Sequence, residues 1–215
     1  MRTQLFKLSA VVVLSLASNA SWAQHGGALR QPAALGCEQP VWDREARRYE
    51  IEGETVLGFD LDDEGRPTKA RVLRSSGWKL LDDMSLRAIG TCRYAPPRDP
   101  ATERSGLKTA FVWKLHASDS GEIPARFVEG SCPTSERFAG FRPLSGDVRR
   151  SEGLLVRFLV DPQGAPYGVK FEGELPRPTR EAAEAYLAAC RFTPSYWNAK
   201  AYPGNLFGRL LPKPA

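Results

Sequence analysis

The sequence predicts an α+β protein of two small domains, each a three-stranded antiparallel sheet packed on one or two helices. Three observations lead there. An order of cysteine, strand, acidic turn, strand, helix, cysteine and proline occurs twice. Both copies carry their cysteines at corresponding places. The 215 residues, 42% hydrophobic and 26% charged, suit one large or two small globular domains and do not read as a disordered chain.

Ahead of the repeats, residues 1–23 read as a secretory signal peptide. Arg2 and Lys7 form a basic start, residues 8–17 an apolar run, and Ser21-Trp22-Ala23 places small residues at the −3 and −1 positions of a cleavage site. Cleavage after Ala23 gives a mature chain beginning at Gln24. The apolar run falls short of the roughly 20 residues a membrane helix needs. The alternative is an uncleaved inner-membrane anchor, and the mature N-terminus, Gln24 or Met1, separates the two. Residues 24–36 read as a flexible N-terminus, 37–116 as the first domain, 117–130 as a linker and 131–215 as the second.

Within the repeat, a shift of 99 positions superposes Leu57, Phe59, Leu61, Asp62, Gly65 and Pro67 on Val156, Phe158, Val160, Asp161, Gly164 and Pro166. Leu57, Phe59 and Leu61 alternate and so line one strand face. Asp62-Asp63-Glu64-Gly65 is turn chemistry, with Gly65 free to take positive φ. Ala70 and Val72 continue the same face on the returning strand, and Val169 and Phe171 match them. Leu81, Met84, Ala88, Ile89 and Cys92 fall on one helical stripe, as do Ala183, Tyr186, Leu187 and Cys190. Thr179 is the expected N-cap of the second helix. Pro96 and Pro194 follow the helices, where such residues commonly stop them. A third strand alternates through Leu107, Thr109, Phe111, Trp113 and Leu115; its partner near 206–211 reads as shorter and weaker, interrupted by Gly208 and closed by Pro212.

Four cysteines allow three pairings, and an oxidising compartment favours disulfides. Each repeat has one cysteine before its first strand and one on its buried helical stripe. Cys37–Cys92 and Cys132–Cys190 are therefore the economical pairs; free thiols or a cross-domain pair are the alternatives. Each bridge is expected to stabilise its own unit by roughly 4 kcal/mol through loop entropy, with separate cores coupling weakly.

Charge and motifs exclude several function classes. The net charge is +5, and removing residues 1–23 leaves +3, too little and too dispersed for a nucleic-acid face. Asp60, Asp62, Glu64 and Gly65 begin a calcium-loop spacing, but Arg71 stands where the bidentate glutamate belongs, so a hairpin turn is the reading. His25 and His116 have no metal-like partner at i+3 or i+4. Ser75 and Ser76 have no nearby base and read as a tight turn. No phosphate loop, nucleophile elbow or zinc motif is present. Catalytic residues, metal ligands and cofactors are accordingly not expected. Among the many aromatics, Trp197 and Tyr202 are the ones expected at the surface.

Residues 37–115 resemble the TonB C-terminal domain family. The resemblance is carried by Pro40-Val41-Trp42-Asp43-Arg44-Glu45-Ala46, by Glu52-Gly53-Glu54-Thr55-Val56-Leu57-Gly58-Phe59, by Asp62-Asp63-Glu64-Gly65, by Ser75-Ser76-Gly77 with Leu81-Asp82, and by Tyr94-Ala95-Pro96-Pro97. Trp42-Asp43 departs from the tyrosine–proline pair usual there. The second unit keeps residues 161–164 and 191–194 but has Glu172-Gly173-Glu174 in place of the Ser-Ser-Gly, and reads as a divergent copy.

The resemblance implies binding by strand addition. In energy transducers this domain takes a short extended segment of an outer-membrane receptor on a sheet edge, and it is linked to peptidoglycan contact. The sequence shows neither a long proline-rich spacer nor a clear anchor, which favours a periplasmic non-enzymatic binding or scaffold protein over an inner-membrane-anchored transducer. The expected partner is an outer-membrane or periplasmic protein, or peptidoglycan, with no nucleic acid and no stable membrane span after cleavage. The expected binding edge is the strand at 107–115, whose outward residues are Lys108, Ala110, Val112 and Lys114. Its two lysines are also charges that discourage self-pairing.

Overall fold

The structure is a computed structural model whose described residues are 34–38, 40–96, 104–115, 122–145, 148–149 and 152–214. The signal-peptide reading, His25 and His116 lie outside them. The described residues make one compact unit.

The first half runs β1 (Ala34–Gly36), α1 (Arg44–Arg48), β2 (Gly53–Leu61), β3 (Pro67–Arg74), α2 (Lys79–Thr91), β4 (Arg93–Tyr94) and β5 (Leu107–Trp113). The second runs β6 (Arg126–Phe127), β7 (Phe138–Pro143), β8 (Leu154–Val160), β9 (Pro166–Phe171), α3 (Arg177–Ala188), β10 (Phe192–Thr193), β11 (Ser195–Trp197), β12 (Lys200–Tyr202) and β13 (Gly204–Pro212). The antiparallel sheet of the first half has the order β3-β2-β5, and that of the second β7-β13-β8-β9. The fold is α+β, as the periodicities predict. The second sheet, however, has four strands where three are expected, because β7 adds to β13. And β13, read as short and weak, is nine residues long and central.

Both predicted helical stripes are buried: Leu81, Met84, Ala88 and Ile89 on α2 with Cys92 at its C-cap, and Ala183, Tyr186 and Leu187 on α3 with Cys190 just past it. The disulfides are Cys37–Cys92 and Cys132–Cys190, closing separations of 55 and 58 residues. Two local expectations need correction. Ala70 is exposed, because the β2–β3 register slips between Gly58 and Asp60, a bulge with Lys69 at φ 50°. Thr179 does not cap α3: the N-cap is Pro176, and Thr179 lies inside the first turn.

The motif Ser75-Ser76-Gly77 with Asp82 is a structural clasp. Asp82 is buried and accepts from Thr55 Oγ1 at 2.8 Å, Ser76 N–H at 2.8 Å, Ser76 Oγ at 2.9 Å and Ser75 Oγ. A carboxylate satisfied by one backbone N–H and three hydroxyls ties the end of β3 to the first turn of α2 and to β2. Asp82→Ala is expected to lower stability by about 3 kcal/mol, since it strands buried donors around a lost charge. A urea-midpoint change worth under 1 kcal/mol would reject that account.

The two halves do not have separate cores. One cluster belongs to the first half (Leu57, Phe59, Ile89, Tyr94) and one to the second (Val156, Phe158, Val160, Leu187). A third is shared: Ala46, Tyr49, Ile51, Trp78, Leu81, Met84 and Trp113 pack with Leu155 and Leu159 of β8. β8 is thus buried on both faces, one toward α3 and one toward the first half. Arg157 lies in the shared layer. Its Nη2 donates to Glu45 Oε1 at 2.6 Å and its Nη1 to Glu172 Oε1, while the guanidinium stacks near Tyr49 and Trp78. Glu172 Oε2 also accepts the Lys79 N–H at 3.2 Å. Helix α2 has no side-chain cap of its own at Trp78, so the second half supplies a carboxylate to the first half's helix N-terminus. Glu172 therefore has a definite job at the junction. Gly77, at φ 92°, lets Val148 pack where a Cβ would collide.

Candidate functional site

Among the described residues β5 is an edge strand: in the order β3-β2-β5 it pairs with β2 alone. The pairing runs without a bulge from Gly53↔Trp113 to Phe59↔Leu107. Side-chain alternation follows the predicted pattern. Leu107 and Trp113 are buried, Thr109 and Phe111 half-buried, and Lys108, Ala110, Val112 and Lys114 exposed, Val112 by 60%. The four residues proposed from the sequence thus share one outer face of the edge strand.

Both ends of the strand are anchored. Gly106 N–H donates to Asp60 Oδ1 at 2.9 Å, and Leu115 N–H to Glu52 Oε1 at 2.6 Å. The Gly106 N–H and the Lys69 ammonium hold Asp60 below the usual carboxylate range. Trp113 is fixed by its Nε1–H to Ser85 Oγ at 2.9 Å and by an edge contact with Trp42 at 5.4 Å between centroids. The edge is therefore preorganised, and its outward backbone groups, which no strand among the described residues pairs, are the main chemistry it offers.

Beside the end of β5, a hollow of about 520 Å³ is lined by Glu52, Gly53, Glu54, Val112, Trp113 and Lys114. The same Glu52 to Glu54 stretch borders a groove of about 480 Å³ whose apolar walls include Ile51 and Trp78 of the first half and Leu144, Val148 and Phe207 of the second. Burial, reinforced by the Glu122 carboxylate, raises the Glu50 carboxyl above its ordinary range. Burial and Glu122 also push the Tyr202 phenol up to about 12. Sequence reading did not anticipate this groove, since its walls come from both halves.

The other predicted features fall elsewhere. Asp62 accepts the Glu64 and Arg66 N–H groups at 3.1 and 2.7 Å, so it closes the β2–β3 hairpin. Among the described residues no three His, Cys, Asp or Glu side chains converge as a metal site. Ser75 and Ser76 belong to the Asp82 clasp. Trp197 is exposed by 55% on β11, and Tyr202 is half-buried.

The first half is thus an α+β unit whose sheet ends at β5 among the described residues. The family described as Gram-negative bacterial TonB protein C-terminal matches residues 38–115. "Protein TonB" of Vibrio cholerae serotype O1 (strain ATCC 39315 / El Tor Inaba N16961) is 36% identical over 67 residues, which are 31% of this chain and 28% of that protein. The chain thus spans little more than a quarter of that relative's length. The solution NMR structure of the Pseudomonas aeruginosa TonB C-terminal domain shares 23% identity with a TM-score of 0.34, covering 41% of this chain and 91% of that one. The family match makes residues 38–115 TonB-like.

Proposed function

We propose that this is a periplasmic, non-enzymatic binding protein, exported by a signal peptide cleaved after Ala23. Its first half takes an extended segment of an outer-membrane or periplasmic partner, or a peptidoglycan-associated one, on the β5 edge. Its second half is a divergent tandem copy that has become a buttress. The observation that carries this reading is the open β5 edge within the segment matched by the TonB C-terminal family. Such an edge binds by extending the backbone ladder. Lys108, Ala110, Val112 and Lys114 give the contact its outer side chains. The shared core supports the buttress role, because β8 spends its second face on the first half.

The test is retention of envelope proteins by immobilised residues 24–215. Val112→Pro removes an N–H and bars ladder extension. It is expected to lose the partners that the wild type and the surface control Lys79→Ala retain. Equal retention by a Val112→Pro protein with a native circular-dichroism spectrum would exclude this edge. Should the proline variant not fold, Val112→Asp, which leaves the backbone intact, carries the same comparison.

A further inference from the structure

The groove between the halves has a chemistry of its own. It holds about 480 Å³, within the range of ligand sites, and lies where two packed units meet, a common place for one. Its apolar walls are Ile51 and Trp78 on one side and Leu144, Val148 and Phe207 on the other. Trp78 and Phe207 meet at 5.5 Å between centroids, their planes tilted by 56°, and form an aromatic corner. Glu50, Glu52 and Glu54 line the same groove, at alternate positions through the approach to β2 and into it.

These carboxylates are unequally served. Glu54 pairs with Arg74. Glu52 uses one oxygen, Oε1, to accept the Leu115 N–H. Glu50 accepts from the neutral Asn205 amide at 3.2 Å. Among the described residues no lysine or arginine forms an ion pair with Glu50 or Glu52. The lining thus sets three carboxylates against two cations, Arg74 and Arg149. Burial, with the Glu122 and Glu52 charges nearby, already holds the Glu50 carboxyl above its ordinary range, so positive charge entering the groove would be stabilised there.

The backbone singles out the same residue. Glu50 follows the α1 C-cap, Tyr49, at φ 50°. Glycine or asparagine is the usual choice for that left-handed conformation, and glutamate is strained in it. A strained position that directs a charge into a groove has the character of a functional one.

We propose that this groove receives a basic side chain, arginine or lysine, carried by a segment of a partner protein. Such a side chain matches the groove in both its parts. The aliphatic stem lies against Leu144, Val148 and Phe207, and the cationic head reaches Glu50 and Glu52. The aromatic corner favours a cation as well, because ring faces attract positive charge. Trp78 already has the Arg157 guanidinium 5.8 Å from its ring centroid. A bare metal ion is a poorer match, since it has no stem and the described residues hold no converging set of three metal-ligating side chains. The site is built from both halves and does not rest on the β5 edge reading.

The probes are acetylated, amidated Ala-Leu-Arg-Leu-Ala and the same peptide with citrulline, which keeps the shape of arginine and lacks its charge. Each is titrated into ¹⁵N-labelled residues 24–215. The arginine peptide is expected to shift the amides of Ile51, Gly53, Trp78 and Val148. It is expected to bind about tenfold more tightly than the citrulline peptide, the scale of one charge-assisted hydrogen bond. Glu50→Gln and Glu52→Gln are each expected to cut that preference about threefold, and Glu64→Gln, in the β2–β3 turn, to leave it unchanged. The comparison of the two peptides uses the unaltered protein, so it stands whether or not a variant folds. Equal binding of the two peptides, or no shift in the groove at millimolar peptide, would overturn the inference. Shifts confined to residues 107–113 would put the peptide on the β5 edge and overturn it while leaving the edge reading intact. Acetylarginine amide binding as tightly as the pentapeptide would mean a small-molecule site and overturn the assignment to a partner segment. The Val112→Pro comparison with envelope proteins decides separately whether the edge binds.

Discussion

Truncating Arg157 to alanine is expected to cost about 3–5 kcal/mol, the usual penalty for breaking a buried ion pair from one side. The Arg157 side chain is only 8% exposed and that of Glu172 15%. With the guanidinium gone, Glu172 keeps the Lys79 N–H and loses its countercharge, and Glu45 loses its cross-half partner. The stacking near Tyr49 at 5.5 Å and Trp78 at 5.8 Å goes as well. Because these contacts join the two halves, the loss should appear in one cooperative transition, with a midpoint lower by roughly 10 °C for a chain of this size. Arg157→Lys should fall between, since an ammonium cannot bond both carboxylates in the same fork geometry. The measurement is urea denaturation followed by tryptophan fluorescence. A change under about 1 kcal/mol, the range of an exposed pair, would show that this pair does not hold the halves together.

Much of the fold could be read from residues that obey a single period. Leu57, Phe59 and Leu61, the α2 and α3 stripes, and β5 all face the way their spacing says, and each cysteine pairs within its own half of the chain. The edge residues Lys108 to Lys114 were legible for the same reason. What escaped is what depends on long-range packing. Residues 154–160 form an almost unbroken apolar run, the pattern of a strand buried on both faces. Reading only its alternate residues hid the shared core. Arg157 within that run was the cue that a charge would need partners. Strand β7 was missed because its register shifts between Leu211 and Pro212. Phe138 and Phe141 both turn inward at a spacing that fits no strand period. The α3 start was misread because threonine is a good cap in isolation, whereas Pro176 sets the boundary here. The groove between the halves had no local signal, since Trp78, Val148 and Phe207 meet only after the halves dock.

Replacing Cys132 and Cys190 together by serine is expected to lower stability by roughly 4 kcal/mol, the loop-entropy value for a bridge of this span. The Cys37–Cys92 bridge closes a loop of nearly equal length, 55 against 58 residues, so chain entropy alone predicts equal losses. The native contacts break that tie. Cys190 is buried in the second core and Cys132 packs against the same cluster, beside the Ser131 and Arg191 hydrogen bonds that hold the loop. Cys37 sits in an exposed segment whose strand β1 pairs, among the described residues, only with the two-residue β4. The Cys132–Cys190 variant should therefore be the less stable of the two. In either variant the shared cluster of Tyr49, Trp78, Leu155 and Leu159 should keep the halves unfolding as one, so that tryptophan fluorescence and far-ultraviolet circular dichroism give coincident urea midpoints. Two separated transitions, with Trp78 and Trp113 of the first half unperturbed while the second half melts, would show that the junction contributes too little to couple the cores.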